Sequence, residues 1–404
     1  MIRYDEALDL CLRELPRLPA TSVPAAAAVG CALAGDLRAR ADQPRHDQSA
    51  MDGYAVLLDD VRGASPRRPV RLRLAGTSPA GGRRLPVLRP GTCVRVLTGG
   101  RVPRATEAVV IQEHCRREGD MVLVERAPRP GANIRRRGEE SRRGDLLLPA
   151  GTPVTPPVAA LALTHGHAAL RVRARPRVVV LTTGDELVPA GVPLRPGQIH
   201  DSNGPAVAAA LVRAGAAVVA VRHVPDDRGR VVRALRAALR RADAVVTIGG
   251  ASVGDRDYLG EAHARLGVRL LFRKVAVKPG KPNIVGIAPD GTAVFSLPGN
   301  PVSALVSLVT LVIPALHGMM GYADPRPRTQ PAVLDRPLPH RPGRREWVRA
   351  ALARSDDTLT ARPLRHQGSH MMLGLAAADA LVLVPEESGD LPAGSRVEVI
   401  PLAW

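Results

Sequence analysis

Apolar positions along this chain recur first at one spacing and then at another. Leu8, Leu12 and Leu15 fall at helical intervals, which predicts a helix within residues 1–44. A proline- and glycine-rich stretch follows to about residue 150. Within it Val70–Leu74 alternates like a half-buried strand, and Met121–Glu125 does so in part, so a small β-rich domain is predicted. Residues 146–174 return to apolar, alanine-rich sequence. From Arg177 the pattern changes again. Val178–Leu181, Ala217–Val221, Ala244–Ile248 and Ala293–Leu297 read as strands, and Val268–Val277 as extended. Between them helices are predicted near Pro205–Ala214, over Val231–Leu239 and near Tyr258–Leu266. Such alternation predicts a doubly wound α/β domain with a mostly parallel sheet. Short strands such as Ala380–Val384 and Arg396–Ile400 suggest a small β-domain over residues 325–404.

Pro301–Met320 contains the longest apolar stretch. Pro314 and His317 interrupt it, so it is expected to be a buried helix with proline at its start rather than a membrane span. The first residues, MIRYDEALDL, carry early charges and no apolar core, so no secretory signal is expected there. With 404 residues, 45% of them apolar, two to four domains are expected. The formal net charge of +19 first suggests a nucleic-acid partner. Two features weaken that reading: the arginines are scattered from end to end, and aromatics make up only 2% of the chain. A solvated arginine-rich surface that collects small anions is the better expectation. Cys11, Cys31, Cys93 and Cys115 show no metal-ligand spacing and no disulfide framework, which fits a reducing compartment.

Three loops directly follow predicted strands: Thr182–Leu187, Gly249–Gly254 and Pro298–Pro301. In a parallel sheet they share one edge, where ligands of open α/β folds bind. Their glycines let backbone N–H groups approach phosphate oxygens. Gly250–Gly254 (GASVG) also matches the nucleophile elbow of serine hydrolases, with Ser252 as nucleophile. Against a hydrolase stand the missing HGGG-type segment, the doubled glycine at Gly249, and Asp255 and Asp257, which suit Mg²⁺ and phosphate better than an acyl group.

Acidic residues recur beside these loops: Asp185, Glu186, Asp201, Asp226, Asp227, Asp255 and Asp257. Singly, each reads as a cap or a solvated turn residue. Together at one sheet edge they become candidates for holding Mg²⁺ or positioning water. Lysine occurs only as Lys274, Lys278 and Lys281. Two prolines and a glycine fix the backbone of Lys278–Pro282, which suits an oxyanion or polyphosphate. His366 and His370 have a helical metal spacing, but Gly368 and Ser369 break that helix, so a metal pair is not expected. The pair His165 and His167 is no more convincing.

These motifs resemble those of the MoeA-type molybdopterin molybdenumtransferases, also found as the C-terminal part of gephyrin. The likeness runs through Asp47–Val56 (DQSAMDGYAV), Arg95–Gly99, Val102-Pro103, Ala108–Glu113 and Asn133–Glu139. It continues through Thr183–Leu187, Gly197–Asn203, Gly249–Gly254 with Asp257-Tyr258, Lys278–Pro282 and Leu297–Ser303. It ends with Glu346–Arg349 and Gln367–His370.

The resemblance implies four domains: an N-terminal linker domain (1–44 and 145–174), an inserted β-rich domain (45–144), a three-layer α/β domain (175–324), and a C-terminal β-barrel-like domain (325–404). It implies an elongated homodimer in the cytoplasm, with each active site between the α/β domain and the inserted domain of the other copy. Adenylylated molybdopterin and molybdate are the implied substrates, molybdenum cofactor and AMP the products, and Mg²⁺ the cofactor. Asp52, Thr98 and Glu140 are then expected to act from the inserted domain. Glu186, Asp227, Asp255 and Asp257 are expected to hold Mg²⁺ or orient water. Thr183, Gly184, Asp185, Asp201, Gly249, Gly250, Ser252, Gly254, Pro298, Gly299 and Asn300 are expected to contact the nucleotide or pterin. Lys278, Lys281, Ser303, Arg349 and Ser369 are the candidates for molybdate.

Gln48, Glu140, His200, Ala251 and Asn283 depart from the family's usual residues, which leaves room for a tungsten-specific paralogue. A molybdopterin adenylyltransferase and a gephyrin-like scaffold are the other readings. Transient contacts with molybdopterin synthase, an adenylyltransferase or molybdenum-enzyme chaperones would fit the implied pathway. No nucleic-acid or membrane partner is expected.

Overall fold

The computed structural model describes residues 1–250, 258–355 and 358–402. The chain divides into two compact units. One holds Met1–Gly35, Ala150–Ala160 and the chain from Ala169 onward; the other holds Asp36–Pro149 and Leu161–Ala168.

The larger unit is built on a six-stranded sheet. Its elements in chain order are β1 (Arg177–Thr183), α1 (Asn203–Arg213), β2 (Ala217–Val224), α2 (Arg228–Leu239), β3 (Ala244–Ile248) and α3 (Tyr258–Arg265). Then come β4 (Arg269–Phe272), β5 (Ile284–Ile287), β6 (Ala293–Leu297) and the long helix α4 (Pro301–Met319). The sheet order is β2-β1-β3-β6-β5-β4. Its first four strands are parallel, and the last two pairings are antiparallel. Every residue of β3 and β6 is buried, so both strands read as near-continuous apolar runs, broken only by Thr247 and Ser296.

Alternate residues of β1 feed two separate cores. Val178 and Val180 pack with Val207, Leu211, Val302 and the helix Tyr4–Glu14. Val179 and Leu181 pack with Leu235, Leu239 and Leu259 from α2 and α3. That period of two, with helices on both faces, makes the three layers. Helix α4 is long and apolar enough to cross a membrane, but 78% of its most apolar window is buried inside the fold. It contains a π-helical stretch at Leu308–Val312.

The segment expected to be extended over Val268–Val277 is two pieces. β4 pairs with β5, whereas Val277-Lys278 pairs with Arg345-Glu346. After α4 the strands Gln330–Leu334, Arg345–Ser355, Thr358–Pro363, Ala380–Val384 and Arg396–Pro401 form a small barrel. It closes because Arg345–Ser355 pairs with both Thr358–Pro363 and Ala380–Val384. Val348, Ala361, Val382 and Val399 fill its core.

The smaller unit is β-rich. Its six-stranded sheet runs in the order Ala108–Ile111, Gly53–Val56, Thr92–Val96, Val70–Ser78, Met121–Val124, Cys115–Glu118. All four cysteines are free.

Candidate active site

In the larger unit the chain leaves β1 for β2 on one side and returns to β3 on the other. The sheet order therefore reverses between β1 and β3, and a crevice opens at their carboxyl ends. A cleft of about 840 Å³ lies there. The ends of β1, β3 and β6 supply Thr183-Gly184, Gly249-Gly250 and Pro298–Asn300 to its lining. Glu186, Asp201 and Lys281 also line it.

Backbone geometry explains the doubled glycine. Gly249 has φ +95°, and a Cβ there would lie 2.5 Å from the carbonyl oxygen of Thr183. Only glycine lets the turn after β3 press against the end of β1 in this way.

The hydrogen bonds show which polar groups are committed. Asp201 accepts from Thr182 Oγ1 (2.7 Å) and from the Gly204 N–H (3.0 Å), tying the start of α1 to β1. Asn203 Nδ2 donates to the Gly299 carbonyl at 2.7 Å, tying α1 to the loop after β6. Thr183 Oγ1 and Asn203 Oδ1 are buried and have no hydrogen-bond partner among the described residues. Such groups cost stability unless a ligand or water answers them.

Other expected residues take different places. Asp185 accepts from the Asp226 N–H at 3.0 Å. Asp227 is the N-cap of α2, with one carboxylate oxygen accepting from the Arg230 N–H at 2.7 Å. Lys278 is not among the cleft-lining residues; its ammonium pairs with Glu346 at 2.9 Å. Arg349 is fully buried. Its Nε and Nη2 donate to the His366 carbonyl (3.1 and 2.6 Å), and Nη2 also to Gly368 O (3.3 Å), while Nη1 has no partner among the described residues. Burial pushes its pKa down, and Glu346 opposes the shift. Ser369 O accepts from the Val302 N–H at 3.1 Å, which sets the Arg349-held loop against the first turn of α4, where Ser303 is buried.

Ser252, Gly254, Asp255 and Asp257, with Ala251, lie outside the described residues. Among the described residues no three His, Cys, Asp or Glu side chains gather as a metal cluster. Among the described residues, Glu186 is the expected metal ligand that lines the cleft. His366 and His370 share no helix; His370 lines the cleft.

Lys274 and Asn203 are among the cleft residues that the sequence-derived site leaves out. Lys274 lines the cleft beside Lys281. Its signal was its membership of the chain's sole lysine group. Asn203 ends the Gly197–Asn203 motif, but nothing in that motif announces that its amide ties α1 to the loop after β6.

In the smaller unit Gly53 pairs with Val96, which brings Asp52 and Thr98 to one end of adjacent strands. Thr98 donates to Asp52 Oδ1 through its N–H (2.7 Å) and its hydroxyl (2.8 Å). These bonds hold the Asp52 carboxyl below its usual pKa. Glu140 is exposed, and its N–H donates to the Gln43 carbonyl at 3.1 Å.

Family models give the class first: residues 179–318 match a probable molybdopterin binding domain. Residues 2–166 match the MoeA N-terminal region (domain I and II), and residues 331–402 the MoeA C-terminal region (domain IV). The chain is 40% identical over 383 residues to molybdopterin molybdenumtransferase 2 of Mycobacterium tuberculosis, covering 94% of each chain. It is 30% identical to the Staphylococcus aureus molybdopterin molybdenumtransferase, covering 99% of this chain and 95% of that one. The crystal structure of the molybdopterin biosynthesis MoeA protein of Pyrococcus horikoshii superposes with a TM-score of 0.83, at 28% identity and full coverage of both chains. The chain belongs to the molybdopterin molybdenumtransferase (MoeA) family, enzymes of molybdenum-cofactor biosynthesis.

Proposed function

We propose that this chain transfers molybdenum from molybdate to adenylylated molybdopterin, cleaving the phosphoanhydride and releasing AMP. One observation carries the reading. Glycine turns, two lysines and two unanswered buried polar atoms converge on one cleft at the switch point of a parallel sheet. The turns offer N–H groups to phosphoryl oxygens, as does the first turn of α4. Lys274 and Lys281 offset the charge of the anhydride and of the tetrahedral oxyanion. Ser303 and the Ser369 loop adjoin at the start of α4 and extend that anion site, and Arg349 acts on it by holding the loop through the His366 and Gly368 carbonyls.

Glu186 and a substrate phosphate offer the hard oxygen donors that Mg²⁺ prefers, and the ion would supply charge neutralisation at the leaving AMP; Asp255 and Asp257 are the sequence's further candidates to hold it. The working unit is a cytoplasmic homodimer, in which Asp52, Thr98 and Glu140 of a second copy complete each site. Release of AMP from adenylylated molybdopterin, dependent on molybdate, is the direct assay. Consumption of ATP and free molybdopterin in its place overturns the reading in favour of adenylylation. A tungstate series measures the metal preference. Mixing inactive Asp52→Ala and Lys281→Ala chains tests the shared site: exchange of subunits regenerates one intact site per mixed dimer and restores roughly a quarter of full activity. No recovery after proven exchange places both residues in the same copy's site.

A further inference from the structure

We propose that Asn283 is a positioning residue for oxyanion capture: its amide fixes the turn that carries Lys281. The inference rests on the proposed role of Lys281 and concerns a residue that does not line the cleft.

The turn Lys278–Pro282 has few donors of its own, because Pro279 and Pro282 lack an N–H. Asn283 is 2% exposed and sits where this turn enters β5. Its Nδ2 donates to the Gly280 carbonyl, and at 2.9 Å to the hydroxyl of Ser307, which is buried in α4. The next carbonyl, that of Lys281, accepts from the N–H groups of Val275 and Asn283, each at 3.0 Å. Both carbonyls around Lys281 are therefore held, one by a side chain and one by backbone. Gly280 has φ +102°, and a Cβ there would meet Ser307 Oγ at 2.5 Å. The turn is thus pressed onto α4, the same helix whose first residues wall the cleft. A flexible lysine stem gains precision only from a fixed backbone, and Asn283 supplies the bond that an apolar residue would omit.

The test uses the full-length enzyme with molybdate and adenylylated molybdopterin. Asn283→Leu is expected to raise the KM for molybdate about tenfold, with kcat within twofold, and to weaken calorimetric binding of molybdate alone by the same factor. Ser307→Ala, which removes one acceptor and spares Asn283, is expected to raise that KM about threefold; it carries the test if the leucine variant does not fold. Lys281→Ala is the reference. If Asn283 acts through Lys281, Asn283→Leu adds nothing to the molybdate KM in the Lys281→Ala background. An equal added effect in that background, or an unchanged KM in folded single variants, overturns the positioning role. An unchanged molybdate KM in Lys281→Ala instead overturns the oxyanion reading on which it rests.

Discussion

Arg177 and Asp243 sit at the amino-terminal edge of the α/β sheet, Thr183 and Asn203 at its carboxyl-terminal edge. At the first edge the guanidinium and carboxylate close on each other. Arg177 Nε and Nη2 reach the two Asp243 oxygens at 3.2 and 3.0 Å, and the Arg177 N–H donates to Oδ2 at 2.8 Å. Thr292 nearby shares its hydroxyl between the carbonyls of Leu239 and Ala242. Among the described residues, a threonine hydroxyl and an asparagine oxygen at the second edge are buried without a partner, and Lys274 and Lys281 have no carboxylate partner. The same strands thus end in a saturated rim and an unsaturated one. Saturation stabilises the fold by itself; an unanswered buried group costs free energy until something binds. The two rims should therefore respond oppositely to substitution.

The largest effect is expected at Lys281. Lys281→Ala should lower kcat/KM roughly 10³-fold, about 4 kcal/mol of transition-state stabilisation, and leave the thermal midpoint within about 1 °C. A midpoint drop of several degrees with activity intact would place Lys281 in the structural rim and break the comparison. Next comes Thr183→Val, a change of nearly equal volume. Removing a hydroxyl that has no partner should stabilise the protein by about 0.5 kcal/mol, while AMP release falls about tenfold. Loss of stability on that substitution would show that the hydroxyl is already answered in the free enzyme. Denaturant midpoints measured beside turnover decide between these outcomes.

The unsaturated rim was largely readable beforehand, and for a physical reason. Strands buried on both faces appear as near-continuous apolar runs, so the ends of Ala244–Ile248 and Ala293–Leu297 mark where the glycine turns begin. Local sequence could not show which distant segment each residue meets. Lys278 and Lys281 look alike in the sequence, yet Lys278 is drawn to Glu346 by the pairing of Val277-Lys278 with the barrel strand. Arg349 was expected to face an anion; its burial among the carbonyls of His366 and Gly368 follows from a loop that only the folded barrel brings back. Asp227 was read both as a helix cap and as a metal ligand, and the structure shows the cap. The same nonlocality split Val268–Val277 between two sheets.

The smallest effect is expected at the saturated rim. Asp243→Ala removes the acceptor of three Arg177 donors. Arg177 is 56% exposed and Asp243 24% exposed, so solvent screens the pair, and the guanidinium regains water when the carboxylate goes. The cost is then mainly that of the Arg177 N–H, which lies at the sheet edge and loses its bond. About 1 kcal/mol of stability should disappear. Part of that loss is ionic, so raising salt from low to molar concentration should shrink the difference between Asp243→Ala and the natural protein. Molybdate-dependent AMP release, measured well below the unfolding transition, should not change, because the ion pair lies at the opposite end of the strands from the cleft. If Asp243→Ala instead lowered turnover in proportion to Lys281→Ala, the two rims would be coupled through the sheet. Saturation and ligand demand could then no longer be assigned to separate edges.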